Sequence, residues 1–393
     1  MKVFKKNFIF FAIYFCFWLA DALLVPYLGL FFTEKGLSGA QIALLSAVES
    51  IVPPVSAVLL GIIMSTVRNR AAFFVGLPLG CAAAAAAMYY TGAFGGMVAA
   101  TVVLYFCRTP YNGLVDRVLM ACIHDTPGEY GKFRMGGSTG YGVGALIAGA
   151  VYSAYACKPL FFMYIPAIIA TGLLCLKAPI NIEQGASSVR PKLSTLLNFK
   201  ALKNGGHFLK IYGTLALFGL ITSTTGKFMA MYVAEQGLDS TVTGRLIAFA
   251  MIGEIIMFLW FPSISKKLSP EAEFFIGFLV FIARNTSLYF ISSMPLWLVM
   301  LMQIIGGAEF SIMWAAATQL VETSYPPEAG FIAQTLKSVF NTSVGYGLGC
   351  IMLSGFYDRG SLKAGYGVLF AVNAACVLFY GFLAVKERKV HER

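Results

Sequence analysis

Ionisable side chains recur where the chain is otherwise apolar: the acids Asp21, Glu49, Asp116, Glu254 and Glu309, and the bases Arg108, Arg134, Lys227, Arg284 and Lys337. The set is balanced, five of each sign. A charge inside a bilayer is costly unless it faces protein or water and finds a partner, so such residues are functional candidates by default. Balanced charges can pair within a water-filled cavity and leave polar groups to hold a polar ligand.

Two constellations carry the chemistry. In 114–144, LVDRVLMACIHDTPGEYGKFRMGGSTGYGVG, Asp116 lies in one apolar segment and Arg134 opens the next. As ligand groups, the carboxylate accepts from hydroxyls and the guanidinium donates a fork to a hydroxyl or carboxylate; alternatively the two form a salt bridge between neighbouring helices. The second constellation is Glu309 with Arg284. Glu309 sits mid-span between Ile305 and Met313, where desolvation favours a neutral carboxyl and an approaching Arg284 favours the charged one. Motion of Arg284 would therefore load and release a proton, unless the pair is a static structural tie. Glu254 reads as a polar cavity residue with a coupling role, or as a structural partner of Lys227 or Lys337. Asp21, four residues before a Val-Pro step that would bend its helix, and Glu49, one turn before Pro53-Pro54, could each line the cavity. Trp18, Tyr27, Tyr141, Trp314 and Tyr346 are candidate stacking platforms for a ring-shaped ligand, although most aromatics in such a chain are packing.

The elements that position these residues follow from composition. The 393 residues are 58% hydrophobic and 12% charged, where a soluble domain carries about 25% charged residues. The mean hydropathy is +0.76. Apolar runs of about 20 residues, the length that crosses the hydrocarbon core, follow one another and predict an all-α polytopic membrane protein. The expected spans are 7–33, 41–64, 70–92, 96–120, 133–154, 159–177, 208–233, 242–265, 272–291, 295–318, 330–355 and 363–385. A polar, basic linker, 181–206, divides an N-terminal six-helix bundle, 1–180, from a C-terminal one, 207–393. The basic N-terminal flank resembles a signal peptide, but its apolar run is too long and contains Asp21, which reads as a retained first helix.

The net charge of +11 could suggest nucleic acid as a partner, but the bases cluster in short loops. Lys5, Lys6, Arg68, Arg70, Lys132, Arg190, Lys192, Lys200, Lys203, Lys266, Lys267 and the tail from Lys386 lie on one side. The other side has Lys35, Lys158 and Lys363. This bias places both termini and the linker in the cytoplasm, of a plasma or inner membrane, among lipids and without nucleic acid. The eight cysteines are scattered without a CxxC pair and read as free thiols. No metal-ligand spacing, GxxxxGK[ST] loop or nucleophile elbow occurs, so neither a cofactor, nor an enzyme, nor an ATP-driven pump is expected.

The halves repeat each other. Glu34-Lys-Gly-Leu-Ser38 answers Glu235-Gln-Gly-Leu-Asp239, Gly140-Tyr-Gly-Val-Gly144 answers Gly345-Tyr-Gly-Leu-Gly349, and Tyr152 and Tyr357 keep register. The pattern predicts a parallel duplication whose halves enclose a substrate site, with the glycines as close helix contacts.

Topology, linker and repeat together resemble the major facilitator superfamily over nearly the whole chain. Asp116, the loop ending Glu129-Tyr-Gly-Lys132, and Phe133-Arg134-Met135-Gly136-Gly137-Ser138 are similar to the fourth and fifth helices of the lactose permease and phenylpropionate permease group; nucleoside–proton symporters share an arginine-led fifth helix. The resemblance implies that Asp116 and Arg134 bind solute, with Ser138 and Tyr141 beside them; Asp21 and Trp18 are candidates for the same cavity from their own residue types and not from the resemblance. In the second half, Ile252-Gly253-Glu254, Arg284 and Gly307-Ala308-Glu309-Phe310 fall where lactose permease keeps residues that couple sugar to proton. Gly306 replaces that family's sugar-contacting histidine, and the loop 61–70 lacks the usual aspartate. The resemblance implies a monomeric, proton-coupled importer of a small polar solute, a sugar or oligosaccharide. Import of aromatic carboxylates or nucleosides, proton-antiport export of amphipathic compounds, and a non-transporting receptor are the alternatives.

Overall fold

The computed structural model describes residues 4–5, 7–66, 71–124, 126, 129–179, 208–265, 268–325 and 330–391. The predicted linker, and most of the basic loop residues used for orientation, lie outside them. Among the described residues there are helices and no strands: α1 Phe8–Glu34, α2 Gly39–Thr66, α3 Ala71–Tyr90, α4 Phe94–Cys122, α5 Tyr130–Tyr155, α6 Lys158–Cys175, α7 209–235, α8 Ser240–Ser265, α9 Pro270–Tyr289, α10 Leu296–Ser324, α11 330–358 and α12 Leu362–His391. Eight are long and apolar enough to cross a membrane by hydropathy alone. The four that fall short, α4, α5, α7 and α9, carry Arg108 and Asp116, Arg134, Lys227 and Arg284. The chain is a polytopic all-α membrane protein.

Several helices are interrupted where the sequence cannot sustain an α ladder. Pro26 falls in a 3-10 turn, Val25–Tyr27, within α1, because proline offers no N–H to the ladder. A 3-10 turn, Ser223–Thr225, divides α7. The Gly306-Gly307 pair opens α10, and its second part restarts at Glu309. A π-helical segment, Val339–Gly345, interrupts α11; such bulges concentrate at functional sites.

Contacts divide the chain into two compact units. Unit 1 takes its residues from Met1–Leu37, Leu44–Arg190 and Leu238–Ala248, and unit 2 from Ser38–Ala43, Pro191–Gly237 and Phe249–Arg393. The short pieces have local causes. In unit 1, the first turns of α8 lie on α5, where Ser153 donates to Asp239 at 2.5 Å and Gly149 packs on Gly244. In unit 2, the Gly39 N–H donates to Asp358 at 2.5 Å.

Within unit 1 a glycine ladder sets the closest helix pair. A Cβ added at Gly136, Gly140 or Gly144 of α5 would strike the carbonyl oxygen of Phe11, Phe15 or Leu19 of α1. Only glycine admits this approach, the small-xxx-small packing of membrane helices. Unit 2 repeats the device: Gly345 and Gly349 of α11 press on the carbonyls of Ala216 and Leu220 of α7. The duplicated loop motif is also realised in backbone form. Gly36 and Gly237 occupy the left-handed region, at φ 74° and 72°, which glycine adopts without steric cost. Ser38 and Asp239 then each accept a backbone N–H at the start of the next helix.

Candidate functional site

Close packing of α1 on α5 brings together the polar residues of unit 1. Tyr14, Trp18 and Asp21 follow at spacings of four and three along α1, one helical stripe. Asp116 of α4 accepts a short hydrogen bond from the Tyr14 hydroxyl and a 3.0 Å bond from Tyr130. Arg134 follows Tyr130 by one turn on α5, and its guanidinium lies 5.6 Å from the Tyr14 ring centre and 5.1 Å from the Trp18 indole. A Cβ on Gly137 would stand 2.7 Å from Trp18 Cδ1, so glycine there makes room for the indole against Arg134.

Asp116 thus takes its bonds from two phenols, while the Arg134 guanidinium, one turn along α5 from Tyr130, stands over the Tyr14 and Trp18 rings. Among the described residues no direct ion pair links Asp116 to Arg134, so the salt-bridge alternative is not formed. The neighbouring Arg117 is exposed, on another face of α4. Tyr141 stands edge-on to Trp18 at 5.7 Å, and Ser138 is buried on the next turn of α5. Trp18 Nε1 is buried with no hydrogen-bond acceptor. Asp21 is placed apart from this cluster: it is buried and held at both oxygens by Arg108, Nη2 at 2.7 Å from Oδ2. Its carboxylate forms a bidentate ion pair between α1 and α4, with Arg108 stacked at 5.3 Å over Tyr105.

In unit 2 the charges meet directly. Arg284 of α9 donates through Nη1 to Glu309 Oε1 at 2.7 Å and through Nε to Gln303 Oε1 at 2.9 Å. Gln303 passes a bond to Ser287 at 2.7 Å, and Ser287 returns one to the Arg284 carbonyl at 2.7 Å. All four side chains are buried. Glu309 Oε2 has no partner, which leaves one oxygen of a buried carboxylate open to a proton. The break in α10 puts Glu309 in the first turn of a new helix segment, where free N–H groups favour a negative charge. Gly306 has a definite reason: a Cβ there would sit 3.0 Å from Arg284 Cγ and closer still to its Cβ. The arginine stem fills the space that a histidine would need.

Glu254 of α8 is half-buried and feels the charge of Glu309. Gly253 packs on the Ile304 carbonyl and Gly307 on that of Ala250, so glycines again set the approach of the helices that carry the acids. Lys337 of α11 forms no ion pair with Glu254 among the described residues. It donates to Thr318 at 2.5 Å and lies 4.1 Å from the Trp314 ring centre. Trp314 is stacked on Phe310 as well, at 5.4 Å. Both contacts make Trp314 part of a packed column and not a vacant shelf. Tyr27 is likewise stacked on Tyr152, at 5.4 Å, and Tyr346 packs against Gly226.

Sequence reasoning passed over Tyr14, Tyr130, Gln303 and Ser287. For Gln303 a signal existed, a lone amide in LWLVMLMQIIG. Tyr130 was assigned to a loop, but α5 begins there.

Buried charges on broken, glycine-packed membrane helices are the kind of arrangement that lines solute and ion paths in membrane transporters. Residues 9–367 match the model of the MFS_1 like family, and the chain belongs to that family of the major facilitator superfamily. The maltose permease of Geobacillus stearothermophilus is 25% identical over 389 residues, 96% of this chain and 95% of the permease. The multidrug resistance protein MdtG of Yersinia enterocolitica is 24% identical over 260 residues, 63% of this chain and 59% of that protein. A solved structure of a mutant of the nucleoside transporter NupG superposes with a TM-score of 0.84 at 14% identity, covering 95% of this chain and 98% of that one.

Proposed function

We propose that this transporter carries a small polar solute, a sugar or oligosaccharide, into the cell together with a proton, by alternating access in the plasma or inner membrane with both termini cytoplasmic. The observation that carries the reading is the Arg284–Glu309 pair: one carboxylate oxygen is held by the guanidinium and the other is buried and open. Protonation of Glu309 removes the charge that Arg284 pairs with, so the arginine network can rearrange only in the loaded state. Glu254, the half-buried acid whose charge acts on Glu309, takes the coupling role in this reading.

Unit 1 supplies the solute-binding groups. Arg134 donates, Asp116 accepts with the lone pairs that its two phenols leave, and Trp18 and Tyr141 offer apolar ring faces, with Ser138 adjoining. A pyranose presents alternating apolar and hydroxylated surfaces, which such a set matches. The similarity to maltose permease over nearly the full chain supports a sugar, and that to MdtG supports export as the second reading.

The test is uptake into proteoliposomes with an acidic exterior, offering labelled maltose, 3-phenylpropionate and uridine in turn. Accumulation of maltose that collapses with a protonophore, and fails in Arg134→Ala, supports the proposal. Accumulation of one of the others moves the substrate class, and movement only against the imposed proton flow replaces symport with export.

A further inference from the structure

Lys337 is 4% exposed, yet no carboxylate pairs with it among the described residues. An ammonium carries three donors; one is spent on Thr318 at 2.5 Å, and the Trp314 ring 4.1 Å away offers a π face. Glu322, the acid whose charge acts on it, is exposed one turn beyond Thr318 and forms no ion pair with it. Burying an ammonium without an anion is costly, so the arrangement is incomplete as it stands. A second observation lies on the same stripe of α10. Ser311, Trp314 and Thr318 follow at i, i+3 and i+7, one helical face, and the buried Ser311 hydroxyl has no hydrogen-bond partner. Lys337 of α11, two residues before the π-helical interruption begins at Val339, meets this stripe at Trp314 and Thr318, and Ser311 lies one turn from Trp314 along it.

We propose that Lys337, Thr318 and Ser311 form a subsite for an anionic oxygen group, and that the solute carried is an acidic one, a sugar acid or related carboxylate. The inference rests on the uptake reading above and narrows its substrate class. A carboxylate or a lipid phosphate satisfies the same donors; the burial of Lys337 favours the small solute over a bulky headgroup.

The experiment uses the full chain in detergent and reads the shift in melting temperature as ligand is added, since a ligand of the folded state raises apparent stability by mass action. The probes are matched pairs, methyl α-D-glucoside with methyl α-D-glucuronide and 3-phenylpropanol with 3-phenylpropionate, with phosphatidylglycerol as a separate arm. In the wild type and in Lys337→Arg, at least one acidic member should bind about tenfold or more tighter than its neutral partner. In Lys337→Gln the two should bind alike. Free of ligand, Lys337→Met should melt above the wild type, because it removes an uncompensated buried charge; a purely structural lysine would make it melt lower. The proposal is overturned if neutral and acidic members bind the wild type equally, if the preference survives in Lys337→Gln, or if Lys337 governs stabilisation by the lipid and not by the acids. Binding of the neutral sugar without acid preference defeats this inference alone; no shift with any probe defeats it and the uptake reading together.

Discussion

Unit 1 meets a buried carboxylate with phenols, whereas unit 2 meets one with a guanidinium. Around Asp116 the hydroxyls of Tyr14 and Tyr130 donate and Arg134 stands behind them over aromatic rings. Around Glu309 the arginine bonds directly and is held in turn by Gln303. Phenols stabilise a carboxylate without neutralising its charge, so the arginine keeps its donors for a ligand. A direct pair depends on the protonation state of its acid and can act as a switch. In the proposed function the same residue types serve recognition in one unit and proton exchange in the other, according to what stands between them.

Removing a partner should expose the difference. Arg284→Met leaves Glu309 buried without its cation, and a loss of about 3–5 kcal/mol is expected, read as a fall in melting temperature. The double variant Arg284→Met/Glu309→Met should recover most of it; equal loss in the double would mean that packing, and not charge, dominates. Tyr130→Phe should cost less, about 1.5–3 kcal/mol for a hydrogen bond to a charged group, and should weaken solute binding in the same thermal titration. If Tyr130→Phe matches Arg284→Met in stability, the contrast between a carboxylate held by phenols and one held by an arginine is lost.

Gly140→Ala tests the scaffold beneath both. Its Cβ would strike the Phe15 carbonyl, and overpacking of this kind costs about 1–3 kcal/mol, measurable as reduced thermal stability with Gly113→Ala as the control, since nothing lies within 4 Å of a Cβ there. The smallest effect belongs to Asp239, outside the membrane core. The Ser153 hydroxyl, followed by Thr241, holds its carboxyl below the usual carboxylate range. A lowered folded-state value contributes stability that is complete above about pH 4 and is lost as pH falls through the folded value. The group is largely exposed, so Asp239→Asn should lower stability at neutral pH by well under about 1 kcal/mol, and the difference from the wild type should vanish as pH falls through the folded value.

Much of the scaffold was legible because it is written in periodicity and residue size. Apolar runs located the helices, Pro26 located the break in α1, and the repeated GYGxG face marked the two glycine ladders. Arg284 and Glu309, singled out by charge in an apolar setting, lie in contact. What escaped notice was uncharged. Tyr130 raises no hydropathy alarm and Gln303 only a faint one, yet each is the hinge of its network. Partner choice escaped too: Asp21 could have faced a cavity or Arg108, and the spacing of 87 residues between them carries no helical register that decides. The glycine at 306 marked a departure from the resembling family, but only the path of the Arg284 stem explains why a larger residue has no place there.

Proton transport through Glu309, as proposed, is open to a direct measurement. Proteoliposomes loaded with a pH-sensitive dye, given maltose outside, should report lumen acidification with the wild type. Glu309→Gln should still equilibrate labelled maltose across the membrane but move no protons. Acidification at the wild-type ratio in Glu309→Gln would contradict the account and place the proton on another acid.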